Sequence, residues 1–180
     1  MQSVEPRPSV HPFIHYLGGL SRGDLAALRR SAAHLPGFDA GAARVVYPRI
    51  PEVSPGGEAP YFAIAALFAL KPGRKNSPNA RNLGWSARFL ALNRSSDAKP
   101  ADSVARRFER VLGASGAELP RLLRDFVPLI DTSDAPIDFT LLLKHHRSWD
   151  SVDRWVQRKW ARSFWTPTYD KDEEKSERTS

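Results

Sequence analysis

Two groups of arginines are spaced so that each would line one side of a helix. The groups are Arg154, Arg158 and Arg162, and Arg106, Arg107 and Arg110. A series that spans eight residues covers about 12 Å of helix axis. Since a guanidinium group binds phosphate oxygens through two parallel hydrogen bonds, both groups suit contact with successive phosphates of a polyanion.

The positive charge of the chain is concentrated in two segments. The net charge is +7, and residues 71–124 hold 12 basic and 4 acidic groups, whereas residues 140–169 hold 6 and 2. A concentrated positive excess produces a surface patch that attracts polyanions. This distribution favours nucleic acid as the partner, although a solvated surface of charged side chains has the same composition.

No arrangement typical of catalysis or metal binding accompanies the arginines. The chain has no cysteine, no phosphate-binding glycine loop and no G-x-S-x-G nucleophile turn. His145 and His146 are adjacent, so on a helix they point about 100° apart and cannot bind one metal together. Asp131, Asp134 and Asp138 have the spacing of a loop that enters a helix, where one of them caps it. We expect no catalytic residue, no metal and no cofactor.

The elements that must hold these residues are all predicted to be helices. Apolar residues recur at helical spacing along most of the chain, and no stretch alternates as a strand does between hairpin turns. The sequence therefore predicts an all-α fold, a helical bundle of two small lobes packed together. Pro128 is expected to kink or end its helix. The predicted helices cover residues 21–35, 39–46, 61–70, 83–93, 102–112, 119–130, 137–146 and 150–165.

Breaks in the helical pattern divide the chain. A linker-like stretch from Arg94 to Pro100 separates the two lobes, and the basic loop over residues 71–82 is expected to be exposed and mobile. The predicted segments are a flexible N-terminus over residues 1–10, an N-terminal lobe over 11–95, a C-terminal lobe over 100–166 and a disordered tail over 170–180.

No segment has the length of a membrane span or of a secretion signal. Residues 61–70 are the most apolar stretch, and ten residues of helix extend about 15 Å, against a bilayer core of roughly 30 Å. The N-terminus has no apolar run of signal-peptide length. We expect a soluble, cytoplasmic protein with no membrane partner.

Neither arginine group is accompanied by exposed aromatic residues that would form an obvious stacking platform for RNA bases. Most tryptophans fall on apolar helix faces, which indicates a place in the core, whereas Trp85, between Arg81 and Arg88, is ambiguous. The residues alone favour a binder of the phosphate backbone. A stand-alone helical DNA-binding regulator and a small nuclease that uses the three aspartates are the alternatives.

A helix-turn-helix motif over residues 104–126 is disfavoured. The position four residues before the turn glycine Gly113 usually holds a small residue, because the two helices approach closely there. Glu109 occupies that position in this sequence.

The order of several short leucine and arginine patterns is similar to that of a known family. These patterns are Leu28-Arg29-Arg30, Asn82-Leu83-Gly84, Ala87-Arg88-Phe89-Leu90, residues 107–112 and 119–124, Pro136-Ile137-Asp138, Leu141-Leu142, Trp149 and residues 160–165. No single pattern is distinctive, and their order and spacing over residues 11–166 carry the resemblance. On these residues the chain resembles CasB, the small subunit of the type I-E CRISPR Cascade surveillance complex.

The resemblance implies an all-helical, non-enzymatic subunit of the Cascade ribonucleoprotein, which acts in antiviral defence. Two copies would lie head to tail beside the backbone subunit CasC and the large subunit CasA, along the crRNA and the target DNA. There they would stabilise the R-loop of guide and target and hold the displaced non-target strand. Because R-loop formation is nearly balanced in free energy, modest sequence-independent contacts to phosphates can favour it.

The resemblance also implies which residues bind nucleic acid. Basic positions of the family correspond here to Arg29, Arg30, Arg107, Arg110, Arg121 and Arg124. Local charge alone adds Arg88, Lys144, Arg147, Arg158 and Lys159. The sequence departs from the family after Trp149, where a basic residue is common and Asp150 stands here. We expect Asp150 to cap the last helix.

Overall fold

Helices make up the regular secondary structure of the chain in a computed structural model, which describes residues 11–54, 56–70, 81–96, 100–131 and 137–166. The prediction of an all-α fold is confirmed. The helices are α1 (Pro12–Gly18), α2 (Arg22–Ser31), α3 (Ala40–Val46), α4 (Ala59–Ala69), α5 (Leu83–Asn93), α6 (Asp102–Gly113), α7 (Leu119–Asp131), α8 (Phe139–Arg147) and α9 (Trp155–Trp165).

Several helices begin at a polar side chain that accepts a hydrogen bond from the backbone N–H three residues later. This contact satisfies one of the N–H groups that the first helical turn leaves without a partner. The capping residues are Ser21, Asp39, Asn82 and Asp138. Asp138 is thus a helix cap, as the spacing of the three aspartates indicated.

Helix α4 lies in the centre of the fold. Its side chains are apolar on every side, and Tyr61, Ile64 and Leu67 are fully buried. Four other helices, α2, α3, α7 and α8, pack around it. A helix without a polar face can be stable only when its whole surface is covered, so the central position follows from the sequence of α4.

The most extensive helix–helix interface of the described residues joins α5 and α9. A Cβ atom built on Gly84 would overlap the backbone carbonyl group of Trp160, so the two helices approach backbone to backbone. The Nδ2 of Asn82 donates to the Oγ of Ser163 over 2.9 Å, deep in the same interface. Glycine is required at position 84 because any side chain would separate α5 from α9.

One cluster of buried side chains contains residues of both predicted lobes. Tyr61 and Leu90 from the first segment and Phe108 and Trp160 from the second all belong to it. The division of the chain into two lobes stays a prediction, and the hydrophobic core passes across the proposed boundary.

The last helix begins later than the sequence predicted. Helix α9 starts at Trp155, because residues 150–154 form a turn that is held by the loop after α6. The Oδ1 of Asp150 accepts a hydrogen bond from the N–H of Gly116 over 2.9 Å, so Asp150 anchors this loop and does not cap α9. Val152, an apolar residue within the predicted helix over residues 150–165, is fully exposed in this turn.

Arg154 does not continue the arginine series of α9. Its backbone has a φ of 50°, in the left-handed region that interrupts a helix. Its Nη2 donates to the backbone oxygen of Leu112 over 2.9 Å. Arg154 therefore ties the start of α9 to the end of α6, and only Arg158 and Arg162 remain at helical spacing.

Pro128 does not end its helix, so that one of the two expected effects, a kink or an end, is wrong. Helix α7 continues to Asp131 with Pro128 inside it. Pro128 faces solvent, while Val127 and Ile130 are fully buried and hold the last turn against the core. Tertiary packing therefore outweighs the loss of one backbone hydrogen bond.

Three predicted segments lie outside the described residues. They are the N-terminus over residues 1–10, most of the basic loop over 71–82 and the tail over 170–180. None of the helices in the described part of the chain is both long and apolar enough to cross a membrane.

We predict that Gly84→Ala destabilises the protein by about 2 kcal/mol or more, although alanine favours helix by about 1 kcal/mol, because the added methyl group meets the backbone of Trp160. Gly113→Ala is the control, since a Cβ at Gly113 meets nothing within 4 Å. Urea unfolding measures both. Equal stability of the two variants would contradict the close approach of α5 and α9.

Candidate nucleic-acid interface

A groove of about 260 Å³ between α6 and α7 brings together two of the predicted binding residues. The buried face of α6 carries Val104 and Phe108, so the helix presents Arg107 and Arg110 outward. The groove has two basic residues, three apolar residues and one carboxylate in its walls, and it is lined by Arg107, Arg110, Val111, Leu122, Asp125 and Phe126. The two guanidinium groups are therefore placed along one concave surface.

Among the described residues, some arginines around this groove form an ion pair with a carboxylate, and others do not. The Nε of Arg124 pairs with the Oδ1 of Asp125 over 2.9 Å. Within the described part of the chain, neither Arg107 nor Arg110 has a carboxylate at ion-pair distance. These two exposed cations are available to an external anion.

Arg121 lies near an acidic group at the start of α7. The carboxylate of Glu118 accepts hydrogen bonds from the N–H and the Oγ of Ser115 over 3.1 and 2.8 Å. These two hydrogen bonds and the charge of Arg121 lower the pKa of Glu118. The acidic partner therefore stays ionised and offsets part of the positive charge of Arg121.

Arg29 and Arg30 are exposed on α2, away from the elements that form the groove. The Nε of Arg29 donates to the backbone oxygen of Ala69 over 3.2 Å, at the last turn of α4. This bond satisfies a carbonyl that the helix end leaves open and places a positive charge where the helix dipole favours it. Arg29 thus has a structural role of its own.

Two of the basic residues of α8 and α9 lie near a buried histidine. Lys144 and Lys159 both lie close enough to His145 to lower its pKa. Arg147 is placed with its guanidinium 5.7 Å from the ring centre of Tyr61, and Arg158 is exposed on the first turn of α9. Lys144 and Lys159, on two different helices, therefore both lie near His145.

His145 itself is a structural residue. Its Nδ1 accepts a hydrogen bond from the Nε1 of Trp160 over 2.9 Å. Burial, followed by the charges of Lys159 and Lys144, lowers the pKa of His145 to about 3. The ring is neutral at pH 7, as an acceptor from an indole N–H must be.

Arg88 is half-buried and contacts the end of α9. Its Nη1 donates to the backbone oxygen of Phe164 over 2.7 Å. Part of its guanidinium is thus committed to the α5–α9 interface. The assignment of Arg88 to nucleic acid stays a prediction.

The aspartates proposed for a nuclease are not brought to a described cleft. Asp138 caps α8, while the side chain of Asp131 and the whole of Asp134 lie outside the described residues. Among the residues that are described, no group of three or more histidine, aspartate or glutamate side chains is arranged to hold a metal ion.

Sequence reasoning missed an aromatic stack on α5. The rings of Trp85 and Phe89 are nearly parallel, with an interplanar angle of 23° and centres 5.7 Å apart. The guanidinium of Arg81 lies 5.2 Å from the centre of the Trp85 ring. The i, i+4 spacing of Trp85 and Phe89 was the signal that could have revealed the stack, because such residues share one face of a helix.

The chain is similar to proteins of one CRISPR-associated family. The family model described as CRISPR-associated protein Cse2 matches residues 24–165. A CRISPR-associated protein Cse2 of Thermus thermophilus is 32% identical over an alignment of 162 positions, and the alignment covers 84% of this chain and 84% of that protein.

Solved structures with the same fold bear related names. A Cse2-family protein from Thermus thermophilus has a TM-score of 0.72 at 29% identity, over 85% of this chain and 95% of that one. CasB of M. ruber has a TM-score of 0.71 at 28% identity, over 93% and 95%. A chain described as part of a CRISPR RNA-guided surveillance complex has a TM-score of 0.66 over 93% and 95%, and its identity of 24% supports the fold alone.

We predict that acid destabilises the protein through His145. Because the pKa of His145 is about 3 in the folded protein and 6.5 ordinarily, the unfolded chain binds more protons below pH 6.5. Stability is complete above that pH and falls by about 2 kcal/mol between pH 7 and pH 5. In His145→Gln, whose amide oxygen can accept from Trp160, this loss should shrink. Urea unfolding at both pH values tests this, and equal losses in both proteins would contradict it.

We predict that Arg88→Met lowers the free energy of unfolding by about 1 kcal/mol, because the backbone oxygen of Phe164 loses a charged donor. Arg158→Met is the matched control, since Arg158 is exposed, and its effect should stay within about 0.5 kcal/mol. Chemical denaturation of the two variants compares them. An Arg88→Met protein as stable as the control would show that this hydrogen bond contributes nothing.

Proposed function

This chain belongs to the Cse2 family of CRISPR-associated proteins, and from that premise we propose that it is a non-catalytic, nucleic-acid-binding subunit of the type I-E CRISPR Cascade ribonucleoprotein. In this role it binds the phosphate backbone without regard to sequence. It stabilises the R-loop of crRNA and target DNA and holds the displaced non-target strand. The family membership supports the proposal, and the chain described as part of a CRISPR RNA-guided surveillance complex shows that the same fold occurs in such an assembly.

The observation that carries the proposal is the pair of cations at the α6–α7 groove. Arg107 and Arg110 are exposed, lie on one concave surface and have no carboxylate partner among the described residues. A guanidinium that already has a carboxylate partner must give it up to bind phosphate, whereas these two need not. They are the strongest candidates among the eleven basic residues expected to bind nucleic acid.

The energetics of target binding explain why a few phosphate contacts suffice. The heteroduplex that forms in an R-loop is about as stable as the DNA duplex that it replaces. The equilibrium is therefore sensitive to small additional contributions. Each phosphate that an arginine neutralises also releases condensed counterions, which favours binding at low salt.

The proposed partners follow from the family. We place the chain beside CasC and CasA, next to a second copy of itself, in the cytoplasm. The basic residues of the α6–α7 groove would face nucleic acid, so the protein contacts would lie on other surfaces. The stand-alone DNA-binding regulator remains as an outcome of the test, because no described feature favours it over the subunit.

The test is target-DNA binding by Cascade assembled with and without this chain. We expect the chain to co-purify with the other subunits and crRNA, and to tighten target binding. In Arg107→Gln/Arg110→Gln, affinity should fall for all target sequences alike. The slope of log affinity against log salt should fall by about 0.9 for each phosphate that the variant no longer neutralises.

Arg22→Gln/Arg44→Gln is the matched control, because it removes the same charge from α2 and α3. Both residues are exposed, and Arg44 already pairs with Asp24 over 2.8 Å. Affinity should be close to that of the wild type. If the two double variants behave alike, the groove has no special role. If the chain stays outside the complex and binds one DNA sequence by itself, it is a regulator.

A further inference from the structure

Three side chains form a ladder at the start of α5, where Arg81 precedes the helix and Trp85 and Phe89 share one of its faces. The guanidinium of Arg81 covers the ring of Trp85, and the ring of Phe89 stacks against Trp85 at the next turn of the helix. Phe89 is the most exposed of the three, with 37% of its surface accessible, and the other two are half-buried. The ladder therefore ends in an aromatic ring that faces solvent.

The core does not need this face of the helix. The apolar residues Leu83, Ala87, Leu90 and Ala91 are buried and form the packing stripe of α5. An aromatic ring kept in water has an unfavourable free energy unless it is covered by a partner. The exposed end of the ladder is thus a surface that a planar ligand could cover.

The helical segment that carries the ladder is cationic. Residues 81–96 contain three arginines, Arg81, Arg88 and Arg94, and no aspartate or glutamate. One acidic residue of another segment lies beside it, because the N–H of Asp138 donates to the backbone oxygen of Arg81 over 3.3 Å. This charge favours a polyanionic partner and disfavours a basic or neutral one.

We propose that Arg81, Trp85 and Phe89 form a stacking site for an unpaired base of single-stranded nucleic acid. A base stacks on Phe89 at the open end of the ladder, and the neighbouring cations hold its phosphates. Aromatic rings and arginine planes are the groups on which proteins stack unpaired bases, and they accept any base because each has a π face. The inference rests on the proposed function and adds a second kind of contact to it.

The site would make the protein bind single-stranded nucleic acid more tightly than a duplex. Phosphates occur in both duplex and single-stranded DNA, so contacts to them do not distinguish the two. Bases within a duplex are already stacked on their neighbours, whereas those of a displaced strand are free to stack on protein. An aromatic ladder therefore selects single strands.

The experiment compares two probes of equal length and charge with the purified full chain at low salt. One is a single-stranded oligothymidylate and the other is the same strand with abasic sites in place of the bases. We expect the wild-type protein to bind the first roughly fivefold more tightly or better. In Phe89→Leu this ratio should fall toward one, while affinity for the abasic strand is unchanged.

Phe38→Leu is the control, because Phe38 is exposed but lies in the loop before α3, and it should keep the wild-type ratio. Phe89→Tyr should also keep it, which guards against a general effect of substitution. Tryptophan emission supplies an independent readout. Oligothymidylate should quench the wild-type protein more than Trp85→Phe, a variant that keeps an aromatic ring and should bind equally well.

The outcomes separate this inference from the proposed function. Equal binding of both probes by the wild type, or an unchanged ratio in Phe89→Leu, would overturn the stacking site and leave phosphate binding intact. If the wild type binds neither probe at low salt, both proposals fail. If Phe89→Leu does not fold, the quenching comparison still decides, because equal quenching of the wild type and of Trp85→Phe by oligothymidylate would overturn the stacking site.

Discussion

The close approach of α5 and α9 at Gly84 is the constraint on which the rest of the structure depends. Because a Cβ at this position would overlap the backbone of Trp160, the two helices can pack only where one of them has no side chain. This packing fixes the position of α9 along α5. At that position Asn82, before α5, donates a hydrogen bond to Ser163, and Arg88 donates one to the carbonyl oxygen of Phe164. Polar groups of the last turn of α9 thus find partners on the segment that contains α5.

The same packing determines where the candidate binding residues lie. The ring of Phe164, on α9, stacks on that of Phe108 with centres 4.7 Å apart, which fixes the buried face of α6. Arg107 directly precedes Phe108 in the sequence, and Arg110 follows it by two positions. Because Phe108 faces the core, both arginines lie on the exposed side of α6, where they line the groove against α7. On the other side of α5, the face not used for packing carries Trp85 and Phe89. A single helix pair thus positions two chemically different surfaces.

Local sequence patterns predicted most of the helices. Where a prediction from these patterns was wrong, contacts with distant residues explain the difference. The apolar residues of the predicted helix over residues 83–93 recur at helical spacing, and those at positions 83, 87, 90 and 91 are buried together, because a single helix determines which of its residues share a face. The start of α9 was misplaced because Asp150 and Arg154 bind residues of the α6–α7 region more than thirty positions away. No pattern within residues 150–165 reveals such partners. The position of Arg88 against Phe164 was hidden for the same reason, whereas the aromatic spacing on α5 was visible in the sequence.

A subunit that must act on any target needs contacts that ignore sequence but recognise the form of the nucleic acid. Arginine–phosphate contacts meet the first requirement, since the backbone is the same at every step. They leave the second unmet, because duplexes and single strands both carry phosphates. Stacking on an aromatic ring depends on an unpaired base and accepts every base, so it adds discrimination between strands without discrimination between sequences. The exposed cations of α6 and the aromatic ladder of α5 are therefore complementary, the first suited to affinity and the second to the choice of strand.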